Sequence, residues 1–211
     1  MPSGILFARI SADGEDSRSR DIRGSPLKFF GAFTIQATWV SLCLMPVLAI
    51  NALPASTFAA LGTAVSITDL IGLFLYVGGL GFEVTADRQK SAWVREKKDK
   101  INEEDFLTRG LWSKSQHPSY FSESMLWTGI ATPAASILTS GAGMAGMDLS
   151  AGLAGEATAL MAAGISPTFV TFLLLKVSGV LLSENKYDEK YGDREDYKKW
   201  KRETPMFIPK L

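Results

Sequence analysis

"FFGAFTIQATWVSLCLMPVLAI", residues 29–50, carries no charged side chain. The absence of charge continues to residue 68. A helix that spans a bilayer needs about 20 mainly apolar residues, because the hydrocarbon core is about 30 Å thick. Burying a single charge at the centre of that core costs at least about 2.5 kcal/mol. The run therefore predicts a transmembrane helix at residues 29–50.

Three further stretches of the chain are apolar enough to predict a span, at residues 67–86, 124–140 and 166–183. The sequence "SITD" places Asp69 at the start of the second span, where it can cap the helix. Pro167 is suited to the first turn of the fourth span, because proline lacks the N–H that this turn leaves unbonded. The predicted fold is therefore all-α, a polytopic transmembrane helical bundle with about four spans.

The basic residues divide the chain into two kinds of segment. All of the 22 lysines and arginines except Lys176 fall into three blocks, which are residues 1–28, 83–123 and 184–211. The intervening loops at 51–66 and 141–165 hold none. Because short cytosolic loops are enriched in Lys and Arg, both the N-terminal segment 1–28 and the C-terminal tail are expected on the cytosolic side.

Composition excludes several classes of function. The 22 basic residues are balanced by 22 acidic residues, so there is no basic face for nucleic acid. Cys43 is the single cysteine, which excludes an intramolecular disulfide and a cysteine-based metal site. No metal site is predicted. Residues 141–164 are rich in Gly, Ala and Met, and we interpret them as an insertion that forms a loop or a pass along the membrane interface.

The stretch "RGLWSKSQHPSYFSE", residues 109–123, gathers polar side chains immediately before the third span. It contains His117, the only histidine of the chain. Ser119 is a candidate N-cap, and Glu123 would favour the helix dipole from the first turns. The stretch is thus compatible with simple capping and an aromatic belt at the interface, or with a site that faces water.

Two other groups of charges lie near the ends of the predicted spans. Glu83 and Asp87 are four residues apart and share a helical face, which Lys90 continues. They are either solvated charges at a helix exit or part of a site. Lys176 lies inside the fourth span, where it either extends to the interface or supplies a cation within the bundle.

Four segments in order, "FEVTADRQK", "RGLWSKSQHPSYFSESMLW", "LLLKVSGVLLSENKYDEKYG" and "TPMFIPKL", resemble the steroid 5-alpha-reductase-like membrane proteins. The resemblance is greatest to a branch with the patterns E-x-x-A-D-x-Q, R-G-L-W-x-x-x-R-H-P-N-Y-F-G-E and L-x-x-V-S-G-x-x-x-x-E. Upstream, "DGEDSRSRDIR" is similar to that branch's G-x-D-x-R-x-x-x-I-R. The resemblance covers residues 29–211 as one transmembrane domain, except residues 141–164, and extends upstream to about residue 5.

The resemblance implies a helical bundle that binds NADPH and reduces a C=C bond conjugated to a carbonyl in a sterol-like or lipid substrate. By the same analogy it implies the endoplasmic reticulum as the membrane. Matched positions imply the cofactor-binding residues. These are Asp16, Arg18, Asp87, Gln89, His117, Tyr120, Glu123, Glu184 and Tyr187, with Lys176 in support. The steroid reductases carry substrate-binding and proton-donating residues on earlier helices that have no match here, so no catalytic acid is assigned.

The chain departs from the family pattern at three positions around the histidine. Gln116 replaces an arginine, Ser119 an asparagine and Ser122 a glycine, which removes a charge and an amide and adds bulk. Two alternatives therefore stay open. One is a membrane methyltransferase of the isoprenylcysteine carboxyl type, which shares R-H-P-x-Y and uses S-adenosylmethionine. The other is an inactive or truncated relative that acts as a scaffold.

Overall fold

The computed structural model describes residues 24–210, which form helices and no strand. The α-helices are α1 (Pro26–Asn51), α2 (Ala55–Leu61), α3 (Ile67–Lys98), α4 (Pro118–Thr139), α5 (Gly141–Gly146), α6 (Leu153–Phe172), α7 (Val180–Tyr191) and α8 (Glu195–Glu203). A 3-10 turn at Gly110–Ser113 precedes α4, and a π-helical segment at Leu173–Val177 joins α6 to α7. The all-α prediction is confirmed.

Three of these helical stretches are long and apolar enough to cross a membrane: Pro26–Asn51, Ile67–Lys98 and Leu153–Tyr191. Their apolar side chains are exposed to a degree unusual in water-soluble helices. Phe74 on α3 is 73 % exposed and Leu182 on α7 is 62 % exposed. Large exposed apolar surfaces of this kind fit a lipid environment. The prediction of a membrane protein is confirmed at this level.

The chain divides into two compact units, with the boundary inside α1 after Ser41. In the first unit, the phenyl rings of Phe29 and Phe33 lie 4.4 Å apart on one helical face. Other large side chains of this unit are exposed, including Phe30 at 70 % and Ile35 at 73 %. The second unit, from Leu42 onward, contains the helices described below.

Helix α4 occupies the centre of the second unit, because α3 packs on one side of it and α6 on the other. Gly129 allows α3 to come close, since a Cβ there would lie 2.6 Å from the backbone nitrogen of Tyr76. Toward α6, Thr171 donates a hydrogen bond to the Ser124 hydroxyl at 3.0 Å. Small and hydroxyl-bearing residues are favoured where membrane helices touch.

The small and hydroxyl-bearing residues of α4 also explain why this helix is less apolar than the sequence analysis predicted. Four spans were expected, and α4 contains the third, but it is not among the three helices that are apolar enough to be span candidates. Buried small residues such as Ser122 and Ala134 replace the larger apolar residues that a lipid-facing helix would carry. Its 22 residues still extend about 33 Å at 1.5 Å per residue.

The N-cap predicted for α3 is observed in the structure, and the N-cap predicted for α4 is not. At α3 a capping box is present: the Ser66 hydroxyl accepts from the Asp69 N–H at 3.2 Å, and Asp69 accepts from the Ser66 N–H at 2.8 Å. The predicted cap is confirmed. At α4 the prediction of Ser119 as N-cap is wrong, because His117 is the cap residue and Pro118 begins the helix. Proline suits this first position, where no N–H is needed.

Helix α6 begins at Leu153, thirteen residues before the predicted start of the fourth span at residue 166. The placement of Pro167 in a first turn is therefore wrong, since it lies inside α6. Much of residues 141–164 is helical, although Gly disfavours helices. Close packing compensates, because Ala159 and Ala163 are buried in a cluster with Ala134 and Leu138. Whether this stretch is an insertion stays a prediction.

Candidate functional site

A cavity lies at the charged end of the second unit. Four of the site residues predicted from the sequence line it: His117, Tyr120, Glu184 and Tyr187. The chain supplies its walls from the end of α3, the start of α4, α7 and α8. The structure thus brings together side chains separated by up to 70 residues in the sequence.

The imidazole of His117 is buried, and only 9 % of its side chain is exposed. Its backbone N–H donates to the Ser115 hydroxyl at 3.1 Å, and its ring is stacked on Tyr120 with 5.2 Å between ring centroids. Burial, reinforced by the positive charges of Lys90 and Lys201, lowers the pKa of His117 to about 4. The ring is therefore neutral at pH 7, although the Glu184 carboxylate lies 3.8 Å from Nε2.

A charge network joins Glu184 to helix α8. The Lys201 ammonium lies 3.7 Å from the Glu184 carboxylate and 2.8 Å from that of Asp188. The Tyr197 hydroxyl donates to Asp188 at 2.7 Å. Desolvation and this carboxylate raise the pKa of Tyr197. The network balances much of the negative charge at the cavity and anchors α8 beside α7.

The loop before α4 holds the end of the chain through Gln116. Its side-chain amide donates to the carbonyl oxygens of Thr204 at 2.6 Å and Lys201 at 3.0 Å. Its backbone N–H donates to the Pro205 carbonyl at 2.9 Å. We refer to residues 114–117 and 204–210, with the hydrogen bonds between them, as the C-terminal clasp.

Two further contacts extend the C-terminal clasp. The Ser115 hydroxyl donates to the Phe207 carbonyl, and the Lys210 N–H donates to the Lys114 carbonyl, both at 2.9 Å. Sequence comparison treated Gln116 as an arginine lost from the cofactor contacts. The structure gives this buried amide a role of its own, because it satisfies backbone carbonyls more than 80 residues away.

The end of α3 supports the loop that carries the site. The Gln89 side-chain oxygen accepts from the Leu111 N–H at 2.8 Å, so the predicted cofactor contact is occupied by backbone. Asp87 accepts from the Ser119 hydroxyl at 3.4 Å and lies beside the cavity rather than in its wall. Lys90 reaches the cavity over the face of Trp112, with 5.3 Å from ammonium to ring centroid.

The remaining predicted site residues lie elsewhere. Glu123 is partly buried in α4 and does not line the cavity. Lys176 is exposed in the π-helical segment, as expected of a lysine that extends away from the bundle. Asp16 and Arg18 lie outside the described residues.

Aromatic side chains form much of the cavity wall, and sequence reasoning identified only Tyr120 and Tyr187 among them as site residues. Trp93 and Trp200 both line the cavity. The indole N–H of Trp93 donates to Glu104 at 3.0 Å, whereas the Trp200 nitrogen is buried without a partner among the described residues. The His117 Nε2 atom is unpartnered in the same way. A tryptophan in the charged tail gave no sequence signal that separates it from an interfacial anchor.

A family model described as "Protein of unknown function (DUF1295)" matches residues 3–204. The chain belongs to the DUF1295 family. Every residue that lines the cavity lies within the matched range. Comparison with curated proteins and with solved structures found no match.

Proposed function

We propose that this DUF1295 protein is a membrane-embedded, NADPH-dependent reductase of a C=C bond conjugated to a carbonyl in a sterol-like or lipid substrate. One observation carries the proposal: residues at which the chain resembles the steroid 5-alpha-reductase-like proteins converge on a single cavity at the charged end of an apolar bundle. In the proposed function, the polar cofactor enters this cavity from water and the apolar substrate enters from lipid.

The side chains of the cavity fit the chemical parts of NADPH. Tyr187 and Trp200 offer flat faces for stacking on its ring systems. Lys90 supplies positive charge for phosphate groups. The Glu184 carboxylate can accept hydrogen bonds from ribose hydroxyls. NADPH, when bound, supplies the hydride that adds to the electron-poor carbon of the substrate.

In this proposal the residues of the cavity bind and orient NADPH, and His117 does not act as a charged group. His117 is neutral at pH 7, so it carries no positive charge beside the Glu184 carboxylate. The stacked Tyr120 ring holds the imidazole plane. The aromatic walls exclude water from the ring that carries the hydride, which protects it from side reactions.

A binding titration tests this function. The protein, purified in detergent, is titrated separately with NADPH and with S-adenosylmethionine, and the thermal midpoint and cofactor fluorescence are followed. We expect NADPH alone to bind, and Glu184→Gln to lower its affinity about tenfold, as for the loss of a charge-assisted hydrogen bond. Glu189→Gln is the matched control, because Glu189 is exposed on the same helix and lies outside the cavity.

The methyltransferase is the second candidate, because an aromatic cavity with a carboxylate also suits a sulfonium cation. Binding of S-adenosylmethionine without NADPH would replace the reductase by this function. If neither compound binds, the scaffold alternative is left. A reductase also oxidises NADPH when an enone lipid is added, and a methyltransferase does not.

A further inference from the structure

An apolar groove runs along one face of α6, away from the cavity described above. The described residues that line it all belong to this helix, from Leu160 at one end to Phe172 at the other. The side chains at both ends are exposed, Leu160 to 53 % and Phe172 to 57 %. The groove extends about 18 Å at 1.5 Å per residue. Its lining indicates an apolar occupant.

Gly164 leaves an open space in the lining of this groove. A Cβ at Gly164 would have no atom within 4 Å among the described residues, whereas a Cβ at Gly129 would meet the backbone of α3. Glycine is unfavourable inside a helix. The contact between helices explains the glycine at 129, and no contact of the described residues explains the one at 164. The space beside Gly164 is therefore available to a group from outside the chain.

A single positive charge lies one helical turn beyond the groove. Lys176 follows Phe172 by four residues, and residues at this spacing are neighbours on a helix surface. Its side chain is exposed and forms no ion pair with a carboxylate of residues 24–210. Lys176 is also the only charged residue between Glu156 and Glu184. Charges in such segments are usually paired, so an anion is expected beside it.

The position of Lys176 matches the level of the headgroups in a bilayer. The 20 residues of α6, Leu153–Phe172, extend about 30 Å, which is the thickness of the hydrocarbon core. When α6 spans the membrane, Lys176 comes directly after this core, where lipid phosphates lie. The groove begins at the same end of α6. Its length of about 18 Å is close to the share of one leaflet, about 15 Å.

We propose that α6 binds an anionic phospholipid of the leaflet at its C-terminal end, with the phosphate on the Lys176 ammonium and an acyl chain in the groove beside Gly164. Charge complementarity selects this occupant, because lysine is a common phosphate ligand and an apolar helix would fill the groove without supplying an anion. The inference is independent of the proposed function, since neither Lys176 nor the groove lines the cavity.

Two lipids that differ only in their headgroup test the role of charge. The protein, purified in a neutral detergent, is titrated with phosphatidylglycerol and with phosphatidylcholine that carries the same acyl chains, and bound lipid is counted by native mass spectrometry. We expect phosphatidylglycerol to bind about fivefold more tightly, which corresponds to about 1 kcal/mol for one lysine beside an anionic lipid. Equal affinities in the unaltered protein would overturn the inference.

Substitution of Lys176 tests whether this residue provides the preference. Lys176→Gln should abolish the fivefold preference for phosphatidylglycerol. Lys186→Gln is the matched control, because Lys186 is also exposed but lies ten residues further along the chain, on α7. It should keep the preference. If the two variants behave alike, phosphatidylglycerol is held by general attraction to the basic end of the protein or elsewhere, and the inference is wrong.

Filling the groove tests the place of the acyl chain. Gly164→Leu should weaken the binding of both lipids, because its side chain occupies the open space. Gly81→Leu on α3 is the control, since a Cβ there also has no atom within 4 Å. The thermal midpoint without added lipid, expected to be unchanged in both variants, shows that they fold. Equal lipid binding by the two folded variants would contradict an acyl chain in this groove.

Other occupants give different results in the same experiment. Glycerol 3-phosphate carries the charge without the chains, so it should not displace phosphatidylglycerol at equal concentration. Displacement would assign the site to a soluble phosphate. A dimer that Gly164→Leu separates, and to which phosphatidylglycerol does not bind, would assign the groove to a second copy of the chain. Either result would replace the bound phospholipid.

Discussion

At the scale of single residues, the buried amide of Gln116 has the clearest structural role. It satisfies two carbonyl oxygens at the end of α8 and so determines where the chain passes after Thr204. Because Tyr197 and Trp200 lie on α8, the same contact positions part of the cavity wall. A residue that looked like a departure from a family pattern thus supports the site from outside it.

Replacing Gln116 by leucine should destabilise the fold by about 2–3 kcal/mol, because two buried carbonyls lose their donor. Gln116→Glu keeps the shape and places a carboxylate against those oxygens, so it should cost more than Gln116→Leu. The thermal midpoint in detergent measures both. Unchanged midpoints in both variants would show that the C-terminal clasp does not contribute to stability.

His117 should make stability depend on pH. Its pKa is about 4 in the folded protein and about 6.5 in the unfolded chain, so only the unfolded chain takes up a proton between these values. Stability is therefore complete above pH 6.5 and falls as the pH is lowered toward 4, by up to about 3 kcal/mol. Glu184, Lys90 and Lys201 face the ring and set this balance.

The measurement is the thermal midpoint across pH 4–7 in one detergent, for the unaltered protein and for His117→Asn. Asparagine caps a helix well but does not titrate in this range. The difference between the two proteins should therefore grow as the pH rises from 4 to 6.5. Parallel curves would contradict the assignment of a buried neutral imidazole.

At the scale of helices, the contact between α3 and α4 depends on glycine. Gly129→Ala should destabilise by about 1–3 kcal/mol, because the new methyl group meets the backbone of Tyr76 and Gly72. Gly81→Ala on α3 is the control. Nothing lies within 4 Å of its added Cβ, so alanine should leave stability unchanged or raise it. Similar midpoints for the two variants would argue against close approach of the helices.

The helices also show which features were accessible from sequence. The capping box at Ser66 was predictable, because it joins residues three apart. The start of α6 at Leu153 was not, because glycine and alanine suit a loop in water and a close contact between helices in lipid. Whether such a stretch forms a loop or a packed helix depends on the neighbouring helix, which here contributes Ala134 and Leu138 of α4.

The site also contains some residues that the sequence could identify and others that it could not. Matched motifs identified His117 and Glu184, which do lie together. They did not identify Trp200 or the role of Gln116, because these depend on contacts between the loop before α4 and α8, more than 80 residues apart. Gln89 was assigned to a cofactor although the backbone of Leu111 already uses its oxygen. A single sequence cannot distinguish these uses of the same amide.

At the scale of the whole molecule, the distribution of lysine and arginine predicts the orientation in the membrane. A tag inserted at residues 51–66 should be protected from protease in sealed vesicles when a tag at residues 99–105 is cleaved, because basic loops stay cytosolic. A tag at residues 147–152 should behave like the one at 51–66 if α4 also spans. Cleavage of all three from the same side would contradict the four-span arrangement.

The π-helical segment at Leu173–Val177 acts as a spacer that sets the rotational phase of α7. Each residue of a helix turns the following ones by about 100°. Removing one residue here would swing Glu184 and Tyr187 away from the cavity together, while the contacts of α6 with α4 stayed in place. The length of this short stretch should therefore be under stronger constraint than the identity of its side chains.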